Sequence, residues 1–294
     1  MVQVARARPE DLAAIAARVS TTFATAAQAL TNVDGSVDLE RVIQSLGGAH
    51  VWVARRGSEI VGHLAASLVP RGPRSEAWIS PDAWSCDDVD DLAALYAHAA
   101  PAWLAEGVRD HVVWSFDLPA WTDAWGELGF AHELRRGARF AAGVPGEAPP
   151  GYRLRRARFD PVVAARLSAL VDAAEESAPV FRPHETDLDE GSAEAPGHWY
   201  VAESAGRVVA QCLAIAYPPT LGIPLGTVHL SALAVTPSHR RHGVARSLVA
   251  YAARRERVAV VDATWRSANR PAHRFWVGAG FAPVAVGLRR QIPT

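Results

Sequence analysis

Lysine is absent from this sequence of 294 residues, and its 30 basic residues are all arginine. Without lysine the chain cannot use Schiff-base chemistry on a lysine side chain. Its two cysteines, Cys86 and Cys212, are too few for a disulfide scaffold or a cysteine-based zinc site. We therefore expect two buried thiols and no metal.

Long apolar runs are also missing. Charged residues or glycine interrupt every stretch before it reaches the roughly 18 residues that a membrane span needs. The start of the chain, residues 1–6, has the pattern of a strand and not that of a signal peptide. The net charge of −1 lacks the clustered positive surplus of a general nucleic-acid binder. We expect a cytoplasmic protein with neither a membrane nor a nucleic acid as partner.

Three segments of the first half recur in the second half, in the same order and about 150 residues later. The pairs are 5–10 with 155–160, 51–62 with 199–210, and 124–130 with 275–281. Residues 143–150, between the copies, have the proline and glycine content of a short linker. The repeat therefore predicts two domains, 1–142 and 151–294, joined by the linker 143–150.

Each copy has the pattern of a mixed α/β fold: strand, helix, hairpin, strand, long helix, strand, short helix and closing strands. Helices would flank a central sheet in each domain. In the second copy the predicted elements are 153–157, 161–175, 198–216, 226–235, 243–256, 258–265, 269–279 and 281–292.

The clearest binding signal follows the predicted strand 226–235. After Pro237 the chain reads Arg-Arg-His-Gly-Val-Ala over residues 240–245 and then enters a helix. Gly243 permits a close approach of the backbone to a ligand, and Ala245 leaves that approach open. The first N–H groups of a helix have no partner within it and attract anions. Positive charge is added by Arg240, Arg241, His242 and Arg246. This combination suits a pyrophosphate.

This turn resembles the acyl-CoA loop of the GNAT superfamily, whose pattern is Arg or Gln, two residues, Gly, one residue, and Gly or Ala. A second stretch, residues 269–281, resembles another hallmark of that superfamily: an Asn, then Ala, an aromatic pair and a terminal Gly-Phe. The resemblance covers residues 151–294. It implies two tandem GNAT folds, acetyl-CoA or a related short acyl-CoA as co-substrate, a small-molecule or peptide amine as acceptor, and a monomer or homodimer.

The same resemblance implies where the co-substrate lies. In such folds the fourth strand parts from the fifth and opens a V-shaped cleft for the pantetheine arm. Backbone groups of Leu233 and Val235 would bind the pantetheine amides, and Asn269 and Phe275 would line the other wall. The residues expected at the co-substrate are Leu233, Ala234, Val235, Arg240, Arg241, His242, Gly243, Val244, Ala245, Arg246, Asn269, Ala272, Phe275 and Trp276.

The catalytic positions depart from the superfamily pattern. Ser231 stands where a glutamate base is common, and a serine cannot act as a base unaided. His229 lies on the same strand face by alternation and is the candidate base, the alternative being a histidine satisfied within the fold. Trp276 replaces the usual tyrosine acid, and an indole N–H is not a useful proton donor. His273, one helical turn earlier, is a second candidate donor.

The first copy lacks the features of the loop. Alignment places Trp84 at the position of Arg240 and Asp87 at that of Gly243. Its acids would cap a helix and repel a pyrophosphate; they are Asp87, Asp88, Asp90 and Asp91. We expect a degenerate GNAT-like domain that does not bind coenzyme A.

The predicted function is an acetyl-CoA-dependent N-acetyltransferase with its active site in the C-terminal domain. Two alternatives stay open: a non-catalytic acyl-CoA-binding regulatory module, and an aminoacyl transferase that takes its donor from tRNA. The acidic stretch between Glu175 and Glu194 would attract a cationic amine, or else forms a solvated loop.

Overall fold

The computed structural model describes residues 2–47, 50–71, 74–142, 147–177, 179–180, 197–216 and 222–293. These residues form two compact units. The first unit contains the chain up to Arg135, residues 222–223 and residues 284–293. The second contains the chain from Arg136 to residue 216 and residues 224–283.

The first half of the chain supplies most elements of the first unit. They are β1 (Gln3–Arg6), α1 (Leu12–Ala29), α2 (Leu39–Gly47), β2 (His50–Arg56), β3 (Glu59–Arg71), β4 (Arg74–Ile79), β5 (Trp84–Cys86), α3 (Val89–Ala105), β6 (Asp110–Phe116), α4 (Pro119–Glu127) and β7 (Ala131–Phe140). The division between the units falls within β7, after Arg135.

The second half of the chain repeats this succession. Its elements are β8 (Arg153–Ala157), α5 (Pro161–Glu176), β9 (Gly197–Ser204), β10 (Arg207–Ala216), β11 (Val228–Val235), α6 (Val244–Glu256), β12 (Val260–Arg266), α7 (Arg270–Gly278) and β13 (Ala282–Gln291). Every element predicted for this copy is present, with ends that differ by at most two residues. The mixed α/β class is confirmed.

The sheet of the first unit runs in the order β1-β2-β3-β4-β6-β13. β4 and β6 are parallel, whereas the other pairs are antiparallel. Helix α3 packs on β2 and β3. Its buried residues recur every three or four positions, as in Leu92, Leu95 and Ala99. Trp84 lies in this core, 4% exposed, and meets Trp125 edge to face at 5.3 Å between ring centroids.

The C-terminal strand β13 belongs to the first unit from Val284 onward. It pairs antiparallel with β6, from Ala285 opposite Phe116 to Gln291 opposite Asp110. Buried Val286 and Leu288 join the core of that unit. The repeat had placed this strand at the end of a second domain, 151–294. Sequence order alone does not decide which neighbouring strand completes the ladder.

The sheet of the second unit runs in the order β12-β11-β10-β9-β8. One face packs against α6 and α7 through buried Leu230, Leu248 and Trp276. The other face packs against α5 through Ala164, with Trp199 and Val201. In the described part of the chain no helix is both long and apolar enough to cross a membrane.

Both cysteines are thiols: Cys212 is fully buried and Cys86 is partly buried. Burial raises the pKa of each thiol to about 12. Both therefore remain protonated and unreactive near neutral pH. The described residues contain no group of three or more His, Cys, Asp or Glu side chains that could hold a metal ion.

His63, in the core of the first unit, makes stability depend on pH. Its Nδ1 lies 2.8 Å from the Ser85 hydroxyl and its Nε2 lies 3.1 Å from the Asp82 carbonyl oxygen. Burial lowers the pKa of His63 from 6.5 to about 4. The unfolded chain therefore binds the proton at a higher pH than the folded chain does, and stability falls as the pH falls between these values.

When the pH is lowered from about 7.5 to about 5, we expect His63 to reduce the free energy of unfolding by about 2 kcal/mol. Urea unfolding followed by tryptophan fluorescence measures this loss. His63→Asn removes that share of the pH dependence, whereas His132→Asn, at an exposed position of β7, leaves it unchanged. Equal slopes of stability against pH in wild type and His63→Asn would show that the buried ring does not exclude the proton.

Candidate functional site

The two central strands of the second unit part along their length. β11 and β12 are parallel neighbours, yet their pairing comprises only Val228 with Val261 and His229 with Asp262. Among the described residues, the rest of β11 has no strand partner on that side. Backbone N–H and C=O groups along this edge are therefore available to a ligand. A V-shaped cleft was predicted at this place.

A β-bulge interrupts β11 beside the open edge. On its other side β11 pairs with β10, where Ala234 lies opposite Gln211 and Ser231 lies opposite Leu213, so β11 carries one extra residue. Ala232, within the bulge, has a φ of 48°. This left-handed conformation costs a non-glycine residue about 1 kcal/mol. The bulge bends the strand and removes peptide groups from the ladder.

Backbone N–H groups converge where β11 leads into α6. A 3-10 turn, Pro237–His239, precedes this loop. Among the described residues, the N–H groups of residues 241–246 have no hydrogen-bond acceptor. Left-handed conformations at Arg241, with a φ of 64°, and at Gly243, with a φ of 79°, turn successive N–H groups to one side. Together with the positive end of the α6 dipole they form a nest whose geometry suits an anion.

Gly243 is required by conformation and not by space. A Cβ atom built on it would meet only Pro149 Cγ, at 3.9 Å. Because its φ is positive, a residue other than glycine, asparagine or aspartate would cost about 1–2 kcal/mol here. An aspartate here would place its carboxylate beside the N–H groups that would otherwise bind an anion.

Side chains hold the loop in place. Arg240 Nε donates to the carbonyl oxygen of Val235 at 3.1 Å, and Arg246 Nη2 donates to that of Gly278 at 3.1 Å. The Tyr152 hydroxyl lies 2.9 Å from His239 Nδ1. Exposed Arg241 and His242 contribute charge to the loop from outside. The predicted loop residues thus lie together around the nest.

His229 takes part in a buried network at the base of the cleft. Its Nδ1 lies 2.8 Å from Asp262 Oδ1. Arg136 Nε donates to Asp262 Oδ2 at 2.5 Å, and Arg136 Nη2 bonds the same oxygen. The Asp262 side chain is 1% exposed, and those of His229 and Arg136 are each 15% exposed. The network joins β11, β12 and β7 at the point where β11 and β12 separate.

The network keeps His229 uncharged. Burial, followed by the positive charge of Arg136, lowers the pKa of His229 to about 3. Since ionised Asp262 is an acceptor only, Nδ1 carries the hydrogen and Nε2 is the basic nitrogen of the ring. The ring is thus a neutral, oriented group and a weak base.

His229 and Ser231 face the side of the sheet that α5 covers. Their neighbours Val228 and Leu230 are buried in the core under α6 and α7, and alternate residues of a strand point to opposite faces. Helix α5 contacts β10 and β11. The two predicted catalytic positions on β11 therefore lie on the face opposite the α6 core.

The α7 positions predicted at the co-substrate differ in burial, and only Trp276 lies in the core. Asn269 caps the helix, because its Oδ1 accepts from the Ala272 N–H at 3.0 Å. Ala272 and Phe275 are half-buried at the edge of the core. Trp276 is only 6% exposed and stacks on Trp265, with 6.3 Å between ring centroids. The structure thus places Trp276 in the core, where its indole serves packing.

The corresponding strands of the first unit stay paired. β4 and β6 pair from Glu76 opposite Asp110 to Ile79 opposite Val113. Ile79 aligns with Val235, the last residue of β11. The parallel pairing of the first unit therefore reaches the end of its strand and leaves no open edge like that of β11.

The acids at the start of α3 are engaged by arginines of the same unit. Asp88 is the N-cap and accepts from the Asp91 N–H at 2.8 Å. Arg56 donates to Asp88 at 2.7 Å and to Asp91 at 2.8 Å, and Arg18 donates to Asp87 at 2.6 Å. Asp88 thus caps the helix, whereas Asp87 and Asp91 form ion pairs with arginines.

Sequence reasoning missed Arg136, Asp262 and Ala232. Asp262 did carry a signal, since it is a single carboxylate within an apolar strand. Arg136 carried none, because it lies 126 residues from its partner. The conformation of Ala232 depends on the mismatch between β10 and β11, which no local pattern reveals.

The predicted acidic acceptor segment is only partly described. Glu175 Oε2 lies 3.6 Å from Arg266 Nε, an ion pair between α5 and β12. Residues 181–196, which hold most of the acids of this segment, lie outside the described residues.

Residues 167–281 match the acetyltransferase (GNAT) family. The GCN5-related N-acetyltransferase of Sphaerobacter thermophilus superposes on this chain with a TM-score of 0.59 at 16% identity. The superposition covers 100% of this chain and 96% of that protein. A tandem GNAT protein of the clavulanic acid biosynthesis pathway superposes over 100% of both chains with a TM-score of 0.54 at 18% identity. No curated protein sequence matches. The chain thus has the tandem GNAT architecture.

We expect Asp262→Ala to destabilise the second unit by about 3–5 kcal/mol, because it leaves the buried Arg136 guanidinium without its carboxylate. His229→Ala is the matched comparison: it keeps the Arg136–Asp262 ion pair but removes the described donor of buried Asp262 Oδ1, at a cost of about 1–3 kcal/mol. Urea unfolding of both variants measures the difference. Equal losses would show that the ion pair does not hold the base of the cleft.

Proposed function

We propose that this protein, which has a tandem GNAT fold and a GNAT family match over residues 167–281, is an acetyl-CoA-dependent N-acetyltransferase with its active site in the second unit. Family and fold support acyl transfer. The observation that carries the proposal is the position of an anion-binding nest, residues 241–246, directly after the strand whose edge is open. One side of that arrangement suits a pyrophosphate and the other an extended amide chain.

The nest holds the pyrophosphate in this proposal. Its N–H groups are fixed by the backbone and need no reorganisation when the anion arrives. Arg241 and His242 are exposed and add charge from the solvent side. Arg240 and Arg246 are engaged by carbonyl oxygens, so they maintain the loop while contributing to its positive field. Short acyl groups, acetyl first, are the proposed cargo.

The open edge of β11 holds the pantetheine arm. Along β11, every second residue directs its N–H and C=O groups toward β10. The residues between them direct these groups toward the cleft. Leu233 lies in the bulge and Val235 at the strand end, which makes their peptide groups the proposed partners of the two pantetheine amides. The cleft narrows toward the last paired residues, His229 and Asp262.

The acceptor amine approaches from the α5 face, where His229 and Ser231 lie. An alkylamine is protonated near neutral pH and must lose a proton to attack a thioester carbonyl. A histidine whose pKa is about 3 retains that proton poorly. We therefore assign His229 the role of a relay: Nε2 accepts a hydrogen bond from the amine or an intervening water, and the proton passes on to solvent.

The leaving thiolate receives little help from α7. Trp276 is buried in the core, and Trp265 Nε1 donates to His273 Nδ1 at 3.3 Å. A thiol has an ordinary pKa near 8.5, so its anion leaves readily compared with an alkoxide. Positioning of the amine and backbone stabilisation of the carbonyl oxygen would supply most of the rate. A small-molecule or peptide amine is the proposed acceptor class.

Burial of Trp276 also favours a second candidate function, a non-catalytic acyl-CoA-binding module. Such a protein would use the same nest and cleft and would need neither an acid nor a relay. Calorimetric titration with acetyl-CoA, followed by thiol release against a panel of amines, separates the two functions. Binding with turnover supports the enzyme, and binding without turnover on any amine supports the module.

Gly243→Asp should reduce acetyl-CoA affinity at least about 100-fold, because a carboxylate at the nest repels the pyrophosphate and competes for its N–H groups. Calorimetry measures the dissociation constant. Gly226→Asp is the matched control, since Gly226 has a φ of 77°, is exposed, and has nothing within 4 Å of a Cβ. Unchanged affinity in Gly243→Asp would show that the nest is misassigned.

His229→Gln should lower kcat about 10- to 100-fold at an unchanged dissociation constant for acetyl-CoA. Since the pKa of His229 is about 3, the ring stays neutral above about pH 5, and the rate should rise with pH only as the acceptor amine loses its proton. Rate profiles of wild type and variant therefore have the same shape. An unaltered kcat would remove His229 from the mechanism, and a limb near pH 6.5 lost in the variant would contradict a neutral ring.

A further inference from the structure

A basic cavity lies at the C-terminal end of α6. Its volume is about 730 Å³, within the range typical of small-molecule sites. Two tyrosines, Tyr200 and Tyr251, form part of its wall. The rest of the wall consists of five arginines: Arg155, Arg156, Arg254, Arg255 and Arg257.

Two carboxylates, Glu203 and Glu256, lie near the cavity and already have partners. Glu203 Oε1 accepts from Arg155 Nη2 at 2.6 Å. Glu256 accepts from the Tyr200 hydroxyl at 2.7 Å and lies 2.8 Å from His198 Nδ1. Burial and the Glu256 carboxylate raise the pKa of Tyr200, so this hydroxyl keeps its proton. Five arginines thus line one cavity, and Glu203 balances the charge of one of them, Arg155.

Helix electrostatics explains only part of this cluster. Cations are favourable at the negative end of a helix dipole, which accounts for the arginines of the last turn of α6. Arg155 and Arg156 come from a separate element, β8, at the edge of the sheet. Like charges that converge repel one another, and an anion bound between them relieves that repulsion.

The cavity is separate from the nest. The nest lies at the first residue of α6, and Arg254, Arg255 and Arg257 lie at its end. Thirteen residues of helix span about 20 Å. One coenzyme A pyrophosphate cannot occupy both places.

We propose that this cavity binds a phosphorylated small molecule that carries two or more phosphates. Guanidinium groups bind phosphate oxygens in pairs, and their planar donors suit several oxygens held close together. Arg255 lies over the Tyr251 ring, 5.1 Å from its centroid, which orients its donors at the wall. The ligand would bridge β8 and the end of α6, so its binding would stabilise the second unit by mass action.

Pyrophosphate is the probe that tests this proposal, titrated by calorimetry at about 150 mM salt into the full chain carrying Gly243→Asp. That background removes the nest as a competing site. We expect one pyrophosphate site, weakened about tenfold or more by Arg156→Gln with Arg257→Gln, since each lost guanidinium removes charge-assisted hydrogen bonds. Arg158→Gln, at an exposed arginine just after β8 that does not line the cavity, should change affinity less than about twofold.

Three outcomes would overturn the proposal: no pyrophosphate binding in the Gly243→Asp background, an equal loss in Arg158→Gln, or tighter binding of a single-stranded oligonucleotide at the same arginines. The last would make nucleic acid the ligand. Thermal unfolding of each variant verifies that it folds, and pyrophosphate should raise the unfolding midpoint only when Arg156 and Arg257 are intact. Acetyl-CoA binding by the wild-type protein is measured in a separate titration. A failure of the proposed function can therefore be distinguished from a failure of the cavity proposal.

Discussion

The second unit depends on where two parallel strands stop pairing. His229, Asp262 and Arg136 hold β11, β12 and β7 together at one level, and beyond it β11 has no described partner on the β12 side. A buried carboxylate needs a cationic partner, which Arg136 supplies, and a donor for its other oxygen, which His229 supplies. The same contacts that close the base of the cleft therefore define how far it opens.

The equivalent helices α3 and α6 differ in what meets the N–H groups of their first turns. At the start of α3, Asp88 caps the helix and Arg56 pairs with Asp88 and Asp91. At the start of α6, Gly243 offers no side chain and the backbone N–H groups have no described acceptor. The positive end of the helix dipole meets carboxylates of its own unit at α3, whereas at α6 it has no described acidic partner.

In the proposed reaction, the second unit relies on positioning more than on groups that transfer protons. Burial makes His229 a weak base and encloses Trp276 in the core. What remains is an open strand edge, a strained bulge at Ala232 and a nest of backbone donors. Preorganised dipoles of this kind can stabilise developing charge without moving, and this fits transfer between a good leaving group and an amine.

The sequence by itself determined the features that are encoded locally. Apolar periodicity located the elements, and the repeat predicted two related halves. The Arg-x-x-Gly-x-Ala spacing over residues 240–245 predicted the loop, because a left-handed glycine before a helix is a short-range choice. Only the tertiary structure decided the pairing of β13 with β6, the partners and pKa of His229, the burial of Trp276 and the cavity between β8 and α6. These depend on which distant residues meet, and burial and charge act through space and not along the chain.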